Sequence, residues 1–360
     1  MRKVKIIHAA DLHMDSPFQA LGEQAQERRG EQRGLLEKIA AVTNEREADM
    51  LLLAGDLLDT SVAYAETADA LRRALSAVKC PVFIAPGNHD YYSAVSPYAR
   101  MELPENVHIF KSGGMEKVEL ACADVYGAAF GDISCPPRLR GFRAPRREGA
   151  VNIGVLHGEV GKPDSRYNPM TEQEIADSGL DYLALGHVHS RSGLQRAGDT
   201  FYAYPGCTEG RGFDECGEKG LLVLEVGEGV CTEEFIPLDG RRYEIVSFSP
   251  DDLSGISIPA RAKRDIYRII LTGETDRAPD TEQYYNLLKS RFYHLEIIDN
   301  TRISRDIWER AEQDTLRGLF LRKMRQRYDS AQDEQERRQI TDAVRWCLAA
   351  LDGGEAVKSL

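Results

Sequence analysis

The sequence lacks the features of a membrane-spanning, secreted or disulfide-bonded protein. No stretch of its 360 residues approaches the roughly 18 consecutive apolar residues of a transmembrane helix. The amino-terminal apolar segment is short and is interrupted by His8 and Asp11, so it does not resemble a secretory signal. The seven cysteines are scattered and include no Cys-x-x-Cys pair, which disfavours a disulfide framework or a zinc knuckle. We therefore expect a cytoplasmic protein with reduced thiols and no membrane association.

The chain also lacks an excess of basic residues. Its net charge of −12 argues against a surface coated with basic side chains for nucleic acid. It does not exclude a nucleic-acid substrate, because bound cations would neutralise several carboxylates. The apolar fraction of 42% and the charged fraction of 29% are those of an ordinary globular protein, and the length favours more than one domain.

Five short apolar runs are each followed by a residue that can bind a metal ion. The runs cover residues 4–8, 50–53, 82–84, 153–156 and 182–185, and each reads as a buried strand. The residues that follow them, in order, are Asp11 and His13, Asp56, Asn88 with His89, His157, and finally His187 with His189. Ligands of open α/β sheets gather beyond the carboxyl ends of strands. The five motifs hold five of the eight histidines, so we predict one metal centre assembled from across the chain.

The residue types in these motifs define the chemistry. Carboxylate, amide and imidazole groups without a thiolate suit Mn²⁺, Fe²⁺, Zn²⁺ or Mg²⁺. Two such ions about 3.5–4 Å apart hydrolyse phosphate esters by in-line displacement. His89 is surplus to the ligand count, which leaves it available to stabilise charge on the phosphoryl group or to protonate the leaving oxygen. Asp59 could hydrogen-bond to His89 and hold it charged.

The pattern of apolar residues predicts an α/β amino-terminal domain over residues 1–240, with helices near 30–48 and 64–78. Three later runs, 200–204, 220–226 and 231–236, suggest a second sheet packed on the first. Residues 241–300 read as a small α+β domain. Residues 301–360 read as a helical region with one apolar stripe, which consists of Ile340, Val344, Cys347, Leu348 and Leu351. That region either packs on its own body or docks a partner.

The ordered motifs resemble the calcineurin-like metallophosphoesterase superfamily. They are Asp11-Leu12-His13, Gly55-Asp56-Leu57-Leu58-Asp59, Gly87-Asn88-His89-Asp90, His157 and Gly186-His187-Val188-His189. The resemblance implies a four-layer α/β/β/α sandwich of two mixed sheets and two divalent metal ions, commonly Mn²⁺. One ion would be held by Asp11, His13, Asp56 and His189, and the other by Asp56, Asn88, His157 and His187. A metal-bound hydroxide would then attack phosphorus, with His89 as the catalytic acid or charge stabiliser and Asp59 beside it.

Within the superfamily, the opening segment and the segment 204–211 look like the DNA-repair exonuclease branch, which contains SbcD-like nuclease subunits and YhaO-type proteins. The resemblance implies a small capping domain over residues 241–300, helices that bind the coiled coil of an SMC-like ATPase, and a homodimer. One departure is Asp59, which stands where some repair nucleases carry a second histidine.

These observations leave three functional hypotheses. The first is a Mn²⁺-dependent DNA exonuclease or endonuclease that works in DNA repair with the ATPase. The second is a phosphodiesterase or phosphatase acting on a small nucleotide or a phosphoprotein, and the third is a mainly non-catalytic scaffold that binds DNA ends. Predicted substrate contacts are Tyr91, Lys162, Arg166 and Arg211. An arginine cluster between residues 138 and 147 either follows a DNA backbone or is a solvated loop.

Overall fold

The computed structural model describes residues 3–60, 63–250, 257–275, 278–303 and 308–351. The chain divides into two compact units, Met1–Arg242 and Tyr243–Leu360. The first boundary therefore falls two residues after the predicted one at 240. The predicted second boundary at 300 differs from this division, because the carboxyl-terminal helices group with the residues after 242.

The first sheet of the first unit has six strands. It contains β1 (Val4–Ala9), β2 (Met50–Leu53), β3 (Val82–Ile84), β4 (Val107–Ile109), β11 (Gly220–Gly227) and β12 (Val230–Pro237) in the order β12-β11-β1-β2-β3-β4. Strands β1 to β4 run parallel, whereas β11 and β12 pair antiparallel at the other side of β1. The sheet is therefore mixed.

The second sheet also has six strands. It contains β5 (Glu116–Glu119), β6 (Ala123–Gly127), β7 (Val151–His157), β8 (Tyr182–Gly186), β9 (Gln195–Ala197) and β10 (Thr200–Ala203) in the order β5-β6-β7-β8-β10-β9. Its four central strands are parallel and its two edge strands are antiparallel. The three runs after residue 200 were expected to form a second sheet together, and this was wrong. β10 joins the second sheet beside β8, and β11 and β12 complete the first.

The two sheets pack face to face between two outer layers. Strand β1 shows the alternation that makes this possible, since Ile6 lies in the core between the sheets and Ile7 lies in the core under the helices. Helices α1 (Ala25–Glu45) and α2 (Ala65–Ala77) cover the outer face of the first sheet. The outer face of the second sheet is covered by the short helix α4 (Glu172–Asp177) and by the chain between residues 128 and 150. The predicted four-layer α/β/β/α arrangement is confirmed.

The remaining helix of the first unit is α3 (Pro97–Arg100), and a 3-10 helix covers Gln19–Gln24. Helix α4 begins with a capping box, because the Thr171 side chain accepts from the Glu174 N–H while the Glu174 side chain accepts from the Thr171 N–H. This cap fixes the end of the long segment that connects β7 to the outer layer.

The second unit contains a parallel sheet and a helical hairpin. Its strands β13 (Tyr243–Phe248), β14 (Ile266–Leu271) and β16 (His294–Asp299) pair in parallel in that order, and helix α5 (Thr281–Leu288) lies in the chain between β14 and β16. A second, two-stranded sheet pairs β15 (Glu274–Thr275) with β17 (Arg302–Ile303). Helices α6 (Leu316–Ser330) and α7 (Glu334–Leu351) complete the unit, and 3-10 helices cover Lys289–Arg291 and Arg310–Glu312.

The predicted apolar stripe of α7 is only partly buried. Val344 and Leu348 pack with Ala311 and Leu321, whereas Cys347 and Leu351 are exposed. The guanidinium of Arg345 is buried and donates to Thr301 Oγ1 at 2.8 Å, which anchors the helix to the rest of its unit. No helix in the described part of the chain is long and apolar enough to cross a bilayer.

Candidate metal centre

The five predicted strands are confirmed, and their carboxyl ends meet at one place. Strands β1, β2 and β3 are parallel neighbours in the first sheet, and β7 and β8 are parallel neighbours in the second. The two groups are joined where the His187 N–H donates to Asp11 Oδ1 at 3.0 Å. A Cβ atom on Gly186 would lie 1.9 Å from the Ala54 carbonyl oxygen, so only glycine permits this approach of the sheets.

Several site residues adopt positive φ angles directly after their strands. The φ angles are 53° at Asp11, 43° at His13, 51° at Asp56 and 100° at His187. Such angles lie in the left-handed region that non-glycine residues rarely adopt. At these four positions the backbone turns sharply, and the turns bring the side chains that follow different strands together.

Buried polar side chains hold these turns in place. Asp90 is fully buried and accepts from the N–H groups of Asp56, Leu57 and Gly87 at 3.2, 2.7 and 2.8 Å, which ties the end of β2 to the end of β3. Gln32 of α1 donates to the carbonyl oxygen of His13 at 3.0 Å. The hydrogen bonds of Asp90 and Gln32 thus fix the backbone that carries the site residues.

His13 and His189 form the first of two histidine pairs. Nδ1 of His13 lies 3.0 Å from Asp59 Oδ1, and Nδ1 of His189 lies 2.6 Å from Glu215 Oε1. A carboxylate can only accept, so each Nδ1 carries the proton and each Nε2 carries a lone pair. The two Nε2 atoms face each other at 3.1 Å. Neither neutral ring can donate to the other, so a cation or a shared proton between the two nitrogens is needed to make this arrangement favourable.

His157 and His187 form the second pair. Nδ1 of His157 donates to the Ala54 carbonyl oxygen at 2.9 Å, so its Nε2 is directed inward. That Nε2 lies 3.1 Å from Asn88 Oδ1, 3.3 Å from Nδ1 of His187 and 3.3 Å from Asp56 Oδ2. The same Asp56 oxygen lies 3.7 Å from Nε2 of His13, between the two pairs.

These spacings fit coordination to metal ions. With bonds of about 2.0–2.2 Å from histidine and carboxylate groups, neighbouring ligand atoms of one ion lie about 3 to 3.5 Å apart. Ligand atoms of Asp11, His13 and His189 lie within 4.8 Å of one another, and so do those of Asp11, Asp56 and His157. The residues present therefore fit two adjacent cations, with Asp56 placed to bridge them.

The electrostatics of the site also favour positive charge. Burial disfavours the charged form of His157, but the negative charges of Asp56 and Asp11 outweigh it and raise its pKa to about 9. Burial would raise the pKa of Asp56, yet the charge of His157 holds it well below its ordinary value. Burial lowers the pKa of His13 to about 4, which keeps that imidazole neutral and able to act as a ligand.

His89 lies at the open side of the cavity, with 42% of its side chain exposed. The predicted hydrogen bond between the His89 imidazole and the Asp59 carboxylate is not formed. That carboxylate accepts from His13 instead, and it is the Asp59 carbonyl oxygen that lies 3.1 Å from Nδ1 of His89. Nδ1 of His89 is 3.7 Å from the carboxylate. Asp59 thus orients a site histidine with its side chain and His89 with its backbone.

Two of the predicted substrate contacts lie on an exposed loop beside His187. Lys162 is exposed and pairs with Glu159 at 2.6 Å. The guanidinium of Arg166 lies over the ring of Tyr167, 5.3 Å from its centroid, and that ring is 4.9 Å from the ring of His187. Tyr167 lies in none of the strand-end motifs, and its place beside His187 is evident only from the folded loop.

The other two predicted substrate contacts are placed differently. Arg211 is mostly buried, and its guanidinium pairs with Asp59 at 3.1 Å and with Glu215 at 3.0 Å. Tyr91 is half-buried after the Asn-His-Asp motif, and its neighbour Tyr92 packs against the core under the helices.

The arginine cluster at 138–147 is largely neutralised within the first unit. Arg146 donates to both oxygens of Asp181 at 2.7 Å, and Arg147 pairs with Asp124 at 2.7 Å. Arg140 pairs with Glu174 at 3.2 Å. The cluster therefore stabilises the outer layer of the second sheet rather than offering a row of unpaired charges.

Three residues that support the site have no functional signal in the sequence or only a weak one. They are Glu215, Gln32 and Asp90. Glu215 lies 26 residues after its partner His189, and Gln32 lies on a different element from His13, so spacing alone carries no signal for either. Asp90 adjoins His89 in the sequence, but its role required the folded turn. His8, which interrupts the first apolar segment, is fully buried, and its Nδ1 lies 2.9 Å from the Tyr182 hydroxyl.

Comparisons with known proteins agree with this geometry. The family model described as "Calcineurin-like phosphoesterase" matches residues 4–191, which is more than half of the chain. The chain is 31% identical over 244 residues to "Uncharacterized metallophosphoesterase YhaO" of Bacillus subtilis (strain 168), and the match covers 64% of this chain and 59% of that protein.

Two solved structures are also similar. One is TT1561 of Thermus thermophilus, with a TM-score of 0.40, 13% identity, and coverage of 65% of this chain and 99% of that one. The other is a dimetal phosphatase from Danio rerio, with a TM-score of 0.41, 9% identity, and coverage of 66% and 99%. From the family match, the chain belongs to the calcineurin-like phosphoesterase family, and its converging ligand groups form a candidate metal site.

Proposed function

We propose that this phosphoesterase is a DNA nuclease that uses two divalent cations, of which Mn²⁺ is the best candidate. The observation that carries the two-cation site is the pair of facing lone pairs on His13 and His189, 3.1 Å apart, beside the Asp56 carboxylate. One cation would be held by Asp11, His13, Asp56 and His189, and the other by Asp56, Asn88, His157 and His187. All ligand atoms are oxygen or imidazole nitrogen, which suits Mn²⁺.

The side chains around the cations have distinct roles in phosphodiester cleavage. A pair of divalent cations supplies Lewis-acid activation of water and of the phosphoryl group. With its Nδ1–H directed to the Asp59 carbonyl oxygen, His89 has Nε2 available at the open side. From there it can stabilise the transferring phosphoryl group or give a proton to the leaving oxygen. Asp59, Glu215 and the Ala54 carbonyl keep their histidines in the ligating tautomer.

The exposed loop beside His187 supports DNA as the substrate. Arg166 provides an exposed positive charge for a phosphate backbone, Lys162 is exposed on the same loop although paired with Glu159, and Tyr167 provides an aromatic face on which an unpaired base can stack. A small phosphomonoester would need neither feature. Resemblance to the DNA-repair branch, with its SbcD-like and YhaO-type members, supports the same substrate.

The second unit supports a role in a larger assembly. Its helical hairpin exposes apolar side chains on both helices, including Leu319 of α6 and Trp346 of α7. We propose that these helices bind the coiled coil of an SMC-like ATPase and that the assembly contains two copies of this chain. The double substitution Leu319→Ser with Trp346→Ser should then abolish co-purification with the ATPase and leave hydrolysis by the isolated chain unchanged. Retained association would contradict the proposed surface.

One experiment distinguishes the three functional hypotheses. The purified chain is incubated with Mn²⁺ and linear duplex, single-stranded or hairpin DNA, and in parallel with a chromogenic phosphodiester. His89→Ala and Asp56→Ala serve as controls for a contaminating nuclease. DNA cleavage that both substitutions abolish supports the nuclease.

The other outcomes assign the chain elsewhere. Hydrolysis of the chromogenic ester alone would indicate a phosphodiesterase or phosphatase for a small nucleotide or a phosphoprotein. DNA binding without any hydrolysis would indicate a scaffold for DNA ends. Comparing 5′- and 3′-labelled duplexes in the same assay distinguishes exonuclease from endonuclease cleavage.

A further inference from the structure

We infer that Arg211 is a positioning residue that controls the affinity of one of the two cation positions and not of the other. The inference rests on the proposed two-cation site. Arg211 contacts neither cation position directly in this arrangement. It pairs with the two carboxylates that orient His13 and His189, and its Nη2 also lies 3.1 Å from Nδ1 of His189, on the opposite side of that ring from Nε2.

The contacts form a closed ring behind the first histidine pair. Nη1 of Arg211 lies 3.1 Å from Asp59 Oδ1, which in turn lies 3.0 Å from Nδ1 of His13. Nη2 of Arg211 lies 3.0 Å from Glu215 Oε1, which lies 2.6 Å from Nδ1 of His189. The 3.1 Å gap between the two Nε2 atoms closes the ring. Every link in the ring joins a donor to an acceptor except this gap, beside which a cation would be held by the two Nε2 atoms.

An arginine is suited to this task because its planar fork reaches two acceptors at once in a fixed geometry. The side chains of Arg211, Asp59 and Glu215 are only 21%, 15% and 7% exposed. Without the guanidinium, two carboxylates would share this poorly solvated space with no cation to pair with. They would then turn away or take up protons, and both histidines would lose their fixed orientation. A lysine offers a single point charge and cannot hold both carboxylates in the same way.

The second histidine pair is supported by other means. His157 is held by the Ala54 carbonyl oxygen, and His187 has Glu159 Oε1 3.7 Å from its Nε2. Glu159 is paired with Lys162 on the exposed loop. Within the described residues, Arg211, Asp59 and Glu215 make no hydrogen bond to His157 or His187. The two cation positions therefore depend on separate supporting groups.

This separation predicts an unequal effect of one substitution on two binding events. Removing a partner that orients a metal-binding histidine typically weakens metal affinity about 10- to 100-fold. We expect Arg211→Met to lower the affinity for one Mn²⁺ ion by a factor in that range. The affinity for the other ion should stay within about threefold of the wild-type value. Glu159→Gln should instead lower the affinity for the ion bound at the second histidine pair, His157 and His187.

The test is a Mn²⁺ titration of the full chain by calorimetry, with electron paramagnetic resonance to distinguish a coupled ion pair from a single ion. The wild-type chain should bind two ions. Arg211→Met should bind one ion with unchanged affinity, and its coupled signal should appear only at higher Mn²⁺ concentrations. Arg211→Lys should recover part of the lost affinity. Arg46→Met is the matched control, because Arg46 makes a two-pronged pair with Glu234 away from the site.

A double substitution tests whether Arg211 acts through the histidines. In the His189→Ala background, Arg211→Met should weaken binding of the first ion by a smaller factor than it does in the wild-type chain, because only the route through Asp59 and His13 remains. Equal weakening of both ions, or no weakening of either, would overturn the inference. If Arg211→Met does not fold, Glu215→Gln gives the same contrast with the fork still present. A wild-type chain that binds no Mn²⁺ would instead overturn the proposed function itself.

Discussion

The floor and the rim of the metal centre differ in almost every physical respect. The floor consists of Asp11, His13, Asp56 and His157, and each is at most 1% exposed. The rim consists of His89, Lys162, Arg166 and Tyr167, which are exposed or half-buried. Backbone hydrogen bonds and glycine contacts fix the floor, whereas the rim residues other than His89 lie on one loop with mostly local contacts.

This difference separates two tasks. The floor determines which bond chemistry is possible, because its donor atoms converge without help from the substrate. The rim determines what is brought to that chemistry. A floor substitution should therefore affect every phosphoester alike, and a substitution on the loop of the rim should affect DNA more than a small ester.

The largest effect is expected from Asp56→Asn in the floor. The amide keeps the shape of the side chain but removes the negative charge that lies between the two histidine pairs. We expect hydrolysis of DNA and of the chromogenic ester to fall by at least about 10³-fold, since preorganised charge is the main source of rate enhancement in such sites. Steady-state rates on both substrates provide the measurement. Unequal losses would show that the floor also selects the substrate.

His89→Ala tests the boundary between the two regions. His89 is exposed like the rim, yet its Nε2 is available to the reacting phosphoryl group. We expect a fall of about 10²-fold in kcat on both substrates, as for a general acid or a charge-stabilising group. Mn²⁺ binding measured by calorimetry should not change. A loss confined to DNA would place His89 with the rim instead.

Metal removal should destabilise the floor. At a free Mn²⁺ concentration of 100 times Kd, binding to the folded chain adds about 2.7 kcal/mol to the free energy of unfolding. For a unit of this size that corresponds to roughly 5–10 °C in Tm. Thermal unfolding with Mn²⁺ and with a chelator measures the shift. Asp56→Asn should show a much smaller one, and an undiminished shift would place the ions elsewhere.

The smallest effect is expected at the rim. Tyr167→Ala should lower kcat/KM on single-stranded DNA about tenfold, because stacking of one base contributes about 1–3 kcal/mol. The chromogenic ester should be unaffected. Tyr167→Phe is the control, since it keeps the ring and removes only the hydroxyl near Arg166. Equal losses on both substrates would show instead that the ring positions His187.

Arg166→Gln should also reduce the salt dependence of DNA binding. The slope of the logarithm of the binding constant against the logarithm of the salt concentration should fall by about one.

The same division explains what the sequence could predict. Floor residues follow apolar runs that can only be buried strands, so their convergence follows from parallel strand order. The ligand groups Asp11, Asp56, His157 and His187 were all identified in this way. The two sheets were less predictable, because the runs after residue 200 look alike and only tertiary pairing assigns β10 to one sheet and β11 to the other.

Interactions between distant segments were beyond the reach of the sequence. Asp59 was expected to hold His89, and its proximity in the chain favoured that pairing. The folded site places His13 nearer, at 3.0 Å. Likewise Arg211, predicted to contact the substrate, pairs at 3.1 Å with Asp59, which lies 152 residues earlier in the chain. Residues on such networks have no periodicity and no fixed spacing, so only the fold brings them together.

The positive φ angles at Asp11, His13, Asp56 and His187 have a consequence for the evolution of the chain. A non-glycine residue held in a sparsely populated backbone region stores about 1–3 kcal/mol of strain. Glycine at any of the four positions would release that strain, and at the carboxylates it would also relieve repulsion between buried charges. Stability and activity therefore oppose each other at these positions. If selection acted on stability alone, these side chains would be the first to be replaced. The presence of all four ligand groups therefore indicates that selection has maintained the site for its chemistry.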